Sequence, residues 1–342
     1  MNKLKISFCT VCMNRIEHLQ STLIKNIEDN ISYGDVEFIL FDYNSSDGLE
    51  DWVKSVLKNY IDNGVLKYYH TNEPSSFHRS HSRNIALKLG SGDIVCNVDA
   101  DNFLGKDFAY YINYEFSFNH NIFLTSGVKD GSYGRICVKK NDFHSLKGYD
   151  ENMSGWGYED DDLYDRLTLI GKERINFINK AFTKIIEHAI EDSFDNDKNV
   201  SDVHEIYVQQ LAYNHSVILF LLNNNLFKYG VLKKQHDYSD IELVDYWKNG
   251  VLIRKKDVLC LKFDDHRKIN LKVTLQKNLQ HKKNPPFYFV TNELLKNKIL
   301  INLTALQNKK LYHEKKKQNA LTNNKNWGKA VLTYNFNEKI EI

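Results

Sequence analysis

The stretch at residues 77–101, FHRSHSRNIALKLGSGDIVCNVDAD, decides the fold. Its first half has the apolar spacing of a helix and ends at Gly90. Residues 94–98 then form an apolar run of strand length that leads into two aspartates. A helix followed by a buried strand is the repeating unit of a parallel sheet, so this stretch predicts an α/β protein.

The same alternation runs through the first 100 residues. Strands are predicted at residues 4–11, 36–41, 65–70 and 93–98, and helices at 16–30, 49–63 and 77–89. In such sheets ligands bind beyond the carboxyl ends of the strands, so we expect site residues there. Three later elements are predicted: a strand at 134–139, a helix at 160–171 and a last strand at 181–188.

The pattern changes after residue 195. We predict a long helix at 203–226, two strands within 251–275, a second helix at 292–320 and an extended tail at 326–342. Domains average roughly 150 residues, so a chain of this length favours two of them. We therefore expect an α/β domain over residues 1–195 and a smaller, mixed α+β C-terminal region over 196–342.

Composition excludes several classes of protein. The chain has 342 residues, and 46 Lys plus Arg oppose 44 Asp plus Glu, so net charge gives no case for nucleic-acid binding. No apolar run approaches the roughly 20 residues that cross a bilayer, and the N-terminus does not read as a signal peptide. Five cysteines do not make a disulfide framework; Cys9 and Cys12 are expected to be buried thiols. These features predict a cytoplasmic protein.

Asp99 and Asp101 follow the predicted strand at 94–98, two residues apart. Two carboxylates at a strand end can share one divalent cation, and oxygen ligands suit Mg²⁺ or Mn²⁺. The cation would neutralise a diphosphate. The alternative is a solvated turn.

A second acidic motif, GWGYEDDD, occupies residues 155–162. One or two acids at a helix start would be explained by capping and the helix dipole, but four in a row exceed that need. The glycines around Trp156 would let its ring lie over a sugar, and a carboxylate at the helix start could accept a hydroxyl proton.

Two further features favour a metal ion and an anionic ligand. His188 stands 29 residues beyond Glu159, and a neutral imidazole suits a Mn²⁺ shell, although a structural histidine is the alternative. Residues 77–84 place positive charge at a helix N-terminus, which favours either a nucleotide diphosphate or packing.

Together these motifs resemble glycosyltransferases of the GT-A fold. Residues 42–47 look like the DDGSxD turn of the inverting enzymes, and residues 83–101 look like their RNxG…GDxxxxLDAD stretch. NRIEHL at 14–19, and GY at 148–149 with WGYEDDD at 156–162, are similar to NRxEHL and GF…WGGEDDD. Those two segments belong to the beta-1,4-galactosyltransferases and their N-acetylgalactosaminyl relatives. The resemblance covers residues 1–195.

The resemblance implies a Rossmann-like, mainly parallel sheet flanked by helices. It also implies metal-dependent, inverting transfer of galactose or N-acetylgalactosamine from a UDP-sugar to a glycan acceptor hydroxyl. The implied residue roles are uracil binding by Asp42 with Thr10 and Arg15, ribose and diphosphate binding by Arg83 and Asp99, Mn²⁺ or Mg²⁺ binding by Asp101 and His188, sugar packing by Trp156, hydroxyl orientation by Glu159 and general-base catalysis by Asp160.

The chain departs from the family pattern at three places. Tyr158 replaces a glycine, and Ile185 replaces a metal-binding methionine. Gly131 or Ser132 aligns with the aromatic residue that restricts the donor to galactose, with Tyr133 as the alternative in this register. A small residue there would admit an N-acetyl group, so both donors stay open.

Two other functions are weighed. A nucleotidyltransferase that makes the donor predicts a glycine-rich loop after the first strand, but residues 10–15, TVCMNR, contain no glycine. A non-catalytic glycan-binding module predicts loss of the acidic motifs, which are present.

The acceptor is inferred from composition alone. Abundant Asn, Lys and Ile suggest a low-GC bacterial genome, which favours a surface polysaccharide as the acceptor. The lysine-rich segments at 282–283, 309–310 and 315–317 predict that the C-terminal region shapes the acceptor site or contacts the anionic inner face of the membrane. A solvated helix face is the alternative.

Overall fold

The computed structural model describes residues 3–127, 131–187, 196, 202–213, 215–234, 241–281, 284–318 and 326–342. The chain divides into two compact units. The first comprises Met1–Ser154, Tyr158–Ala189 and Leu311–Ile342, and the second comprises Gly155–Gly157 and Ile190–Lys310. The predicted boundary at residue 195 therefore differs from this division, because the last 32 residues belong to the first unit.

The first unit alternates strands and helices as predicted. Its elements are β1 Ile6–Cys12, α1 Ile16–Glu28, β2 Val36–Tyr43, α2 Leu49–Val56, α3 Lys58–Asp62, β3 Leu66–Thr71, α4 Arg79–Leu89, β4 Ile94–Asn97, α5 Phe108–Phe118, β5 Ile122–Thr125, β6 Ile136–Lys139, α6 Lys140–Ser145, α7 Glu159–Leu169 and β7 Glu173–Asn176, with β16 Val331–Tyr334 and β17 Glu338–Glu341 from the C-terminus.

The described strands of this unit form one sheet in the order β17-β16-β3-β2-β1-β4-β6-β5-β7. The central strands β3, β2, β1 and β4 are parallel, and β6 and β16 join them antiparallel on either side. Cys12 at the end of β1 is paired with Asp42 near the end of β2, so their following loops share one edge. The predicted α/β class and its parallel centre are confirmed.

Alternating residues of β1 face two apolar layers. Phe8 packs with Leu23 of α1 in one cluster, while Cys9 packs with Ile85 of α4 in the other. Cys9 and Cys12 are both free and buried, as predicted, and burial raises the pKa of each thiol. Each central strand is thus covered on both faces, as expected of a parallel sheet.

The second unit contains an antiparallel sheet where a long helix was predicted at 203–226. Its described elements are β8 Val203–Ala212, β9 His215–Leu222, β10 Leu226–Lys234, β11 Ile241–Lys255, β12 Val258–Phe263, β13 Lys268–Val273, β14 Leu279–Gln280, β15 Tyr288–Phe289 and the helix α8 Glu293–Gln318, which continues into the first unit.

The helix prediction at 203–226 was wrong because β9 is covered on both faces. Leu219 faces one apolar cluster of the sheet, and Ile218 and Phe220 face another that includes Leu300 of α8. A strand buried on both sides is apolar without interruption, so its periodicity does not distinguish it from a helix. The helix predicted at 292–320 is confirmed as α8 over the described residues.

The last predicted strand, at 181–188, is also wrong over its described residues. Lys180–Thr183 forms a short 3-10 helix, and Ile185 then makes an isolated antiparallel bridge to Asn102. This backbone pairs with the loop after β4 instead of with a strand, which accounts for the difference.

No helix among the described residues is both long and apolar enough to cross a membrane. Within the first unit, Lys315 pairs with Asp150, and Lys316 lies 2.7 Å from Asp165. Two of the C-terminal lysines are therefore bound to acids of the protein, and membrane contact stays a prediction.

Candidate active site

The loops after β1 and β2 are tied together by polar contacts. The backbone amide of Asn14 donates to Ser45 Oγ at 3.1 Å, and the backbone amide of Ser46 donates to Asn14 Oδ1 at 2.7 Å. Asp47 Oδ2 accepts from the amide of Ile16 at 2.8 Å, so it caps the start of α1. The two motifs that sequence analysis singled out thus meet at one edge of the sheet.

Asp42 lies buried at this edge. Its Oδ2 accepts from the Tyr68 hydroxyl at 2.7 Å, its Oδ1 accepts from the Ser45 amide at 2.8 Å, and burial raises its pKa. Thr10 is buried in β1, and Arg15 is half-buried at the start of α1. Both carboxylate oxygens of Asp42 are bonded within the protein, and the predicted uracil site stays a prediction.

Arg83 on α4 joins the two acidic motifs. Its buried guanidinium donates through Nη2 to both oxygens of Asp99, at 2.9 and 3.1 Å, and through Nη1 to Asp160 Oδ1 at 3.2 Å. Glu159 Oε1 lies 3.5 Å from the same Nη1 and 3.7 Å from Nε of Arg79. The end of β4 and the start of α7 therefore meet at one guanidinium group, that of Arg83.

The pKa values of the two carboxyl groups that Arg83 contacts, those of Asp160 and Asp99, are shifted in opposite directions. Burial raises the pKa of Asp160 to about 7; Glu159 and Asp99 add to this rise, and the charge of Arg83 opposes it. Burial alone would raise the pKa of Asp99, but the charge and hydrogen bonds of Arg83 outweigh it and the pKa is lowered. Asp160 is thus poised to exchange a proton near neutrality, as a general base requires.

The acids of the run at 159–162 have different partners. Asp161 Oδ1 accepts from the Tyr133 hydroxyl at 2.5 Å, whereas Asp162 accepts from Arg166 at 2.6 and 2.8 Å. Asp161 and Asp162 therefore have structural contacts, and Glu159 and Asp160 face Arg83. Tyr158, which precedes the run, has a φ of 70°, a conformation that favours glycine.

Asn84, next to Arg83, holds the loop that precedes the acidic run. Its Oδ1 accepts from the Tyr149 amide at 2.7 Å, and its Nδ2 donates to the Tyr149 carbonyl at 2.9 Å and to Glu151 Oε1 at 2.8 Å. Gly148 has a φ of 66°, and a Cβ there would collide with the Asn84 amide. The segments at 83–84 and 148–149, which sequence analysis singled out separately, are thus in direct contact.

Asp101 is half-buried at the end of the β4 loop, and its Oδ1 accepts from Asn102 Nδ2 at 2.6 Å. The Ile186 amide donates to the Asp101 carbonyl at 2.8 Å, so the chain passes beside Asp101 two residues before His188. His188 itself lies outside the described residues.

The oxygen ligands around Asp101 bear on the predicted metal site. Among the parts of the chain that the structure describes, no group of three or more His, Cys, Asp or Glu side chains is arranged to hold an ion. Asp99 gives both oxygens to Arg83, so Asp101 is the carboxylate of the pair that fits a cation. One carboxylate completed by phosphate oxygens is a usual Mg²⁺-type arrangement, so the donor chemistry fits.

Trp156 belongs to the second unit. Its amide donates to Thr304 Oγ1 at 3.1 Å, and its half-buried side chain packs with the apolar cluster of β8, β9 and α8. The predicted packing of this ring on a sugar is not tested and stays a prediction.

Sequence analysis missed two polar residues beside Asp101. Asn102 and Arg135 are completely buried and bonded to each other, with Arg135 Nη2 at 2.7 Å from Asn102 Oδ1. A charged residue directly before the apolar strand β6 is a signal that could have pointed to Arg135. Its partner lies 33 residues earlier, so only the fold brings them together.

Comparison with known proteins agrees with the predicted resemblance. Residues 131–189 match the family model described as the N-terminal domain of galactosyltransferase. Chondroitin sulfate synthase 3 of Homo sapiens and that of Mus musculus are each 42% identical to this chain over 43 residues, 13% of this chain and 5% of the relative. The chain thus matches a small part of the length of these curated relatives.

Solved glycosyltransferases are among the structures to which part of this chain is similar. The mannosyltransferase PcManGT of Pyrobaculum calidifontis, in complex with GDP-Man and Mn²⁺, has a TM-score of 0.44 at 17% identity, covering 52% of this chain and 55% of that one. TarS of S. aureus in complex with UDP has a TM-score of 0.45 at 17% identity, covering 55% and 62%. A mutant Drosophila β-1,4-galactosyltransferase 7, in complex with manganese, UDP-Gal and xylobiose, has a TM-score of 0.39 at 16% identity, covering 57% and 74%.

Proposed function

We propose that this chain is an inverting, metal-dependent glycosyltransferase that moves galactose or N-acetylgalactosamine from a UDP-sugar to a glycan hydroxyl. The observation that carries the proposal is the contact of Arg83 with Asp99 and Asp160. It brings the acidic pair expected beside a donor diphosphate next to the carboxyl expected to act as base. The match of residues 131–189 to a galactosyltransferase family model supports the same chemistry.

Asp160 is the base of the proposed reaction. Its carboxylate takes the proton of the acceptor hydroxyl as the acceptor oxygen bonds to the anomeric carbon, and the bond from that carbon to the UDP oxygen breaks. One displacement inverts the anomeric configuration. A pKa of about 7 lets Asp160 be ionised near neutrality and still accept a proton effectively.

Glu159 is suited to orient sugar hydroxyls. Its oxygen lies 3.5 and 3.7 Å from Arg83 and Arg79, which are ion-pair distances longer than strong hydrogen bonds. Acceptor capacity therefore remains for a donor or acceptor hydroxyl. The positive charge of Arg83 supports the proposed role in holding the diphosphate side of the donor.

Asp101 and His188 would hold the divalent cation. When bound, such a cation supplies positive charge that stabilises the departing diphosphate. Asp42, Thr10 and Arg15 at the neighbouring strand ends are proposed for the nucleoside, and Trp156 for the sugars. Gly131 and Ser132 are small, which favours a donor pocket that admits an N-acetyl group.

The acceptor we propose is a growing bacterial surface polysaccharide, which rests on the composition of the chain. The proposal is tested by measuring hydrolysis of a panel of nucleotide sugars with Mn²⁺ and with EDTA. We expect UDP-N-acetylgalactosamine and UDP-galactose to be the best donors and EDTA to abolish turnover. Preference for GDP-mannose or a CMP-sugar would reject the uridine assignment, and full activity in EDTA would reject the metal.

A further inference from the structure

A buried chain of hydrogen bonds ends on the Asp101 carboxylate. Asn102 Nδ2 donates to Asp101 Oδ1 at 2.6 Å and to the Gly131 carbonyl at 3.2 Å, while Asn102 Oδ1 accepts from Arg135 Nη2 at 2.7 Å. The amide orientation follows from chemistry, because a guanidinium only donates and a carboxylate only accepts. Asn102 therefore presents its donor to Asp101 for as long as Arg135 holds its oxygen.

Arg135 is an unusual residue at this position. It is completely buried, its Nη1 donates to the carbonyls of Phe103 and Phe182, and its Nε has no hydrogen-bond partner in the described structure. Within the described residues its hydrogen bonds go to neutral oxygens and not to a carboxylate. Burying a cation in this way is costly, which favours a role beyond filling space.

The same residues join three segments around Asp101. Phe103 donates from its amide to the Lys184 carbonyl at 2.9 Å, and Asn102 forms the bridge to Ile185. Arg135, directly before β6, donates to the Phe103 carbonyl in the loop after β4 and to the Phe182 carbonyl in the segment that precedes Lys184. Residues 101–103, 131–135 and 182–186 are thus held by one polar cluster, and within the described part of the chain Asp101 is the acidic side chain that it hydrogen-bonds.

We infer that Asn102 and Arg135 are positioning residues that fix the orientation of the Asp101 carboxylate toward the donor diphosphate and its cation. Asn102 acts directly through its amide donor, and Arg135 acts through Asn102. The inference rests on the proposed function, because it takes Asp101 as the cation ligand. Polar groups behind metal-binding carboxylates typically change metal affinity about 10- to 100-fold when they are removed.

The test measures Mn²⁺ binding to the protein with UDP by following free Mn²⁺ in electron paramagnetic resonance. Asn102→Ala removes the donor, and Asn102→Asp removes the donor but gives Arg135 a carboxylate acceptor, which protects the fold. We expect both variants to bind Mn²⁺ about 10- to 100-fold more weakly than the parent. Asn30→Ala is the matched control and should leave Mn²⁺ affinity unchanged, because Asn30 is an equally buried amide whose described hydrogen bonds go to the backbone of Asn26, Gly105 and Ala109.

Melting temperatures without Mn²⁺ separate the two kinds of role. A purely structural role predicts a lower melting temperature with unchanged Mn²⁺ affinity, and that result with Asn102→Asp would overturn the inference. Tighter Mn²⁺ binding by Asn102→Asp would overturn it as well. If the parent itself binds no Mn²⁺ with UDP, the proposed metal dependence fails and the inference fails with it. If the parent binds Mn²⁺ and the Asn102 variants bind it equally tightly, the inference alone is wrong.

Discussion

Nη1 of Arg83 lies 3.2 Å from Oδ1 of Asp160, although 77 residues separate the two in the chain. Nη2 of the same guanidinium donates to Asp99, so one side chain contacts both acidic motifs. A change of charge at either motif is therefore expected to alter the electrostatic environment of the other through the buried guanidinium of Arg83.

Asp160→Asn keeps the size of the side chain but removes the proton acceptor. We expect transfer to fall by about 10²- to 10⁴-fold, the usual contribution of a general base. Affinity for UDP and Mn²⁺ should change little. The measurement is kcat at saturating donor, with UDP binding by calorimetry.

Asp161→Asn is the matched control for the base. Asp161 is the neighbouring acid of the same run, but its contact is to the Tyr133 hydroxyl. The rate should remain near that of the parent. If Asp161→Asn lost activity and Asp160→Asn did not, the base would be Asp161.

The pH dependence of kcat/KM should report the ionisation of Asp160. The ionised form is active, so we expect activity to rise with pH through the region of about 7. Because the charge of Arg83 lowers the pKa of Asp160, Arg83→Gln should move this rise to higher pH. Arg83→Lys keeps a positive charge and should move it less; equal positions for all three proteins would contradict the coupling.

Asp160 should also make the stability of the parent depend on pH. Its pKa is about 7 in the folded protein, above its ordinary value of about 4, so the folded state binds more protons between these values. Stability contributed by the protonated form is present at low pH and is lost as pH rises toward 7. The melting temperature of Asp160→Asn minus that of the parent should therefore increase over this range, measured by calorimetry; a constant difference would argue against a raised pKa.

Asp101 is expected to determine metal affinity. Asp101→Asn removes one negative charge and should weaken Mn²⁺ binding in the presence of UDP, by about 10-fold or more. The control is Asp93→Asn, since Asp93 lies beyond the other end of β4 and accepts from the Lys5 amide. Equal Mn²⁺ affinities for both variants would remove Asp101 from the metal site.

Tyr158 has a left-handed backbone conformation with a φ of 70°, and its ring lies 5.7 Å from that of Tyr312. Tyr158→Ala loses the ring contact and keeps the backbone strain, whereas Tyr158→Gly relieves the strain. We expect the glycine variant to be more stable than the alanine variant by about 1 kcal/mol. Denaturant unfolding of the two variants measures the difference, and greater stability of the alanine variant would contradict it.

Local sequence patterns predicted the parts of the fold that depend on them. The parallel centre follows from apolar runs and helix spacing within the first 100 residues. β9 was misread because Ile218 and Leu219 are buried on opposite faces of one strand, which leaves no alternation to detect.

The site was predicted in its residue types but not in its contacts. The number of acids at 159–162 favoured a functional role, yet the contacts of Asp160 with Arg83 and of Asp161 with Tyr133 are set by tertiary structure. Only the pairing of Asp162 with Arg166, four residues later in the same helix, is local among these contacts. Asn102 carries no motif that marks it, because the inferred role depends on its hydrogen bond to Arg135, which lies 33 residues later in the chain, just before β6.

The pairing of β16 with β3 has a consequence for biosynthesis. The Tyr68 amide bonds to the Asn335 side chain across 267 residues of sequence, so the ribosome makes one side of this contact long before the other. Until the last strands emerge, β3 presents an open edge, and such edges invite pairing with other nascent chains. Completion of this sheet thus waits until residues 331–341 have been synthesised, and β3 stays available to other chains until then.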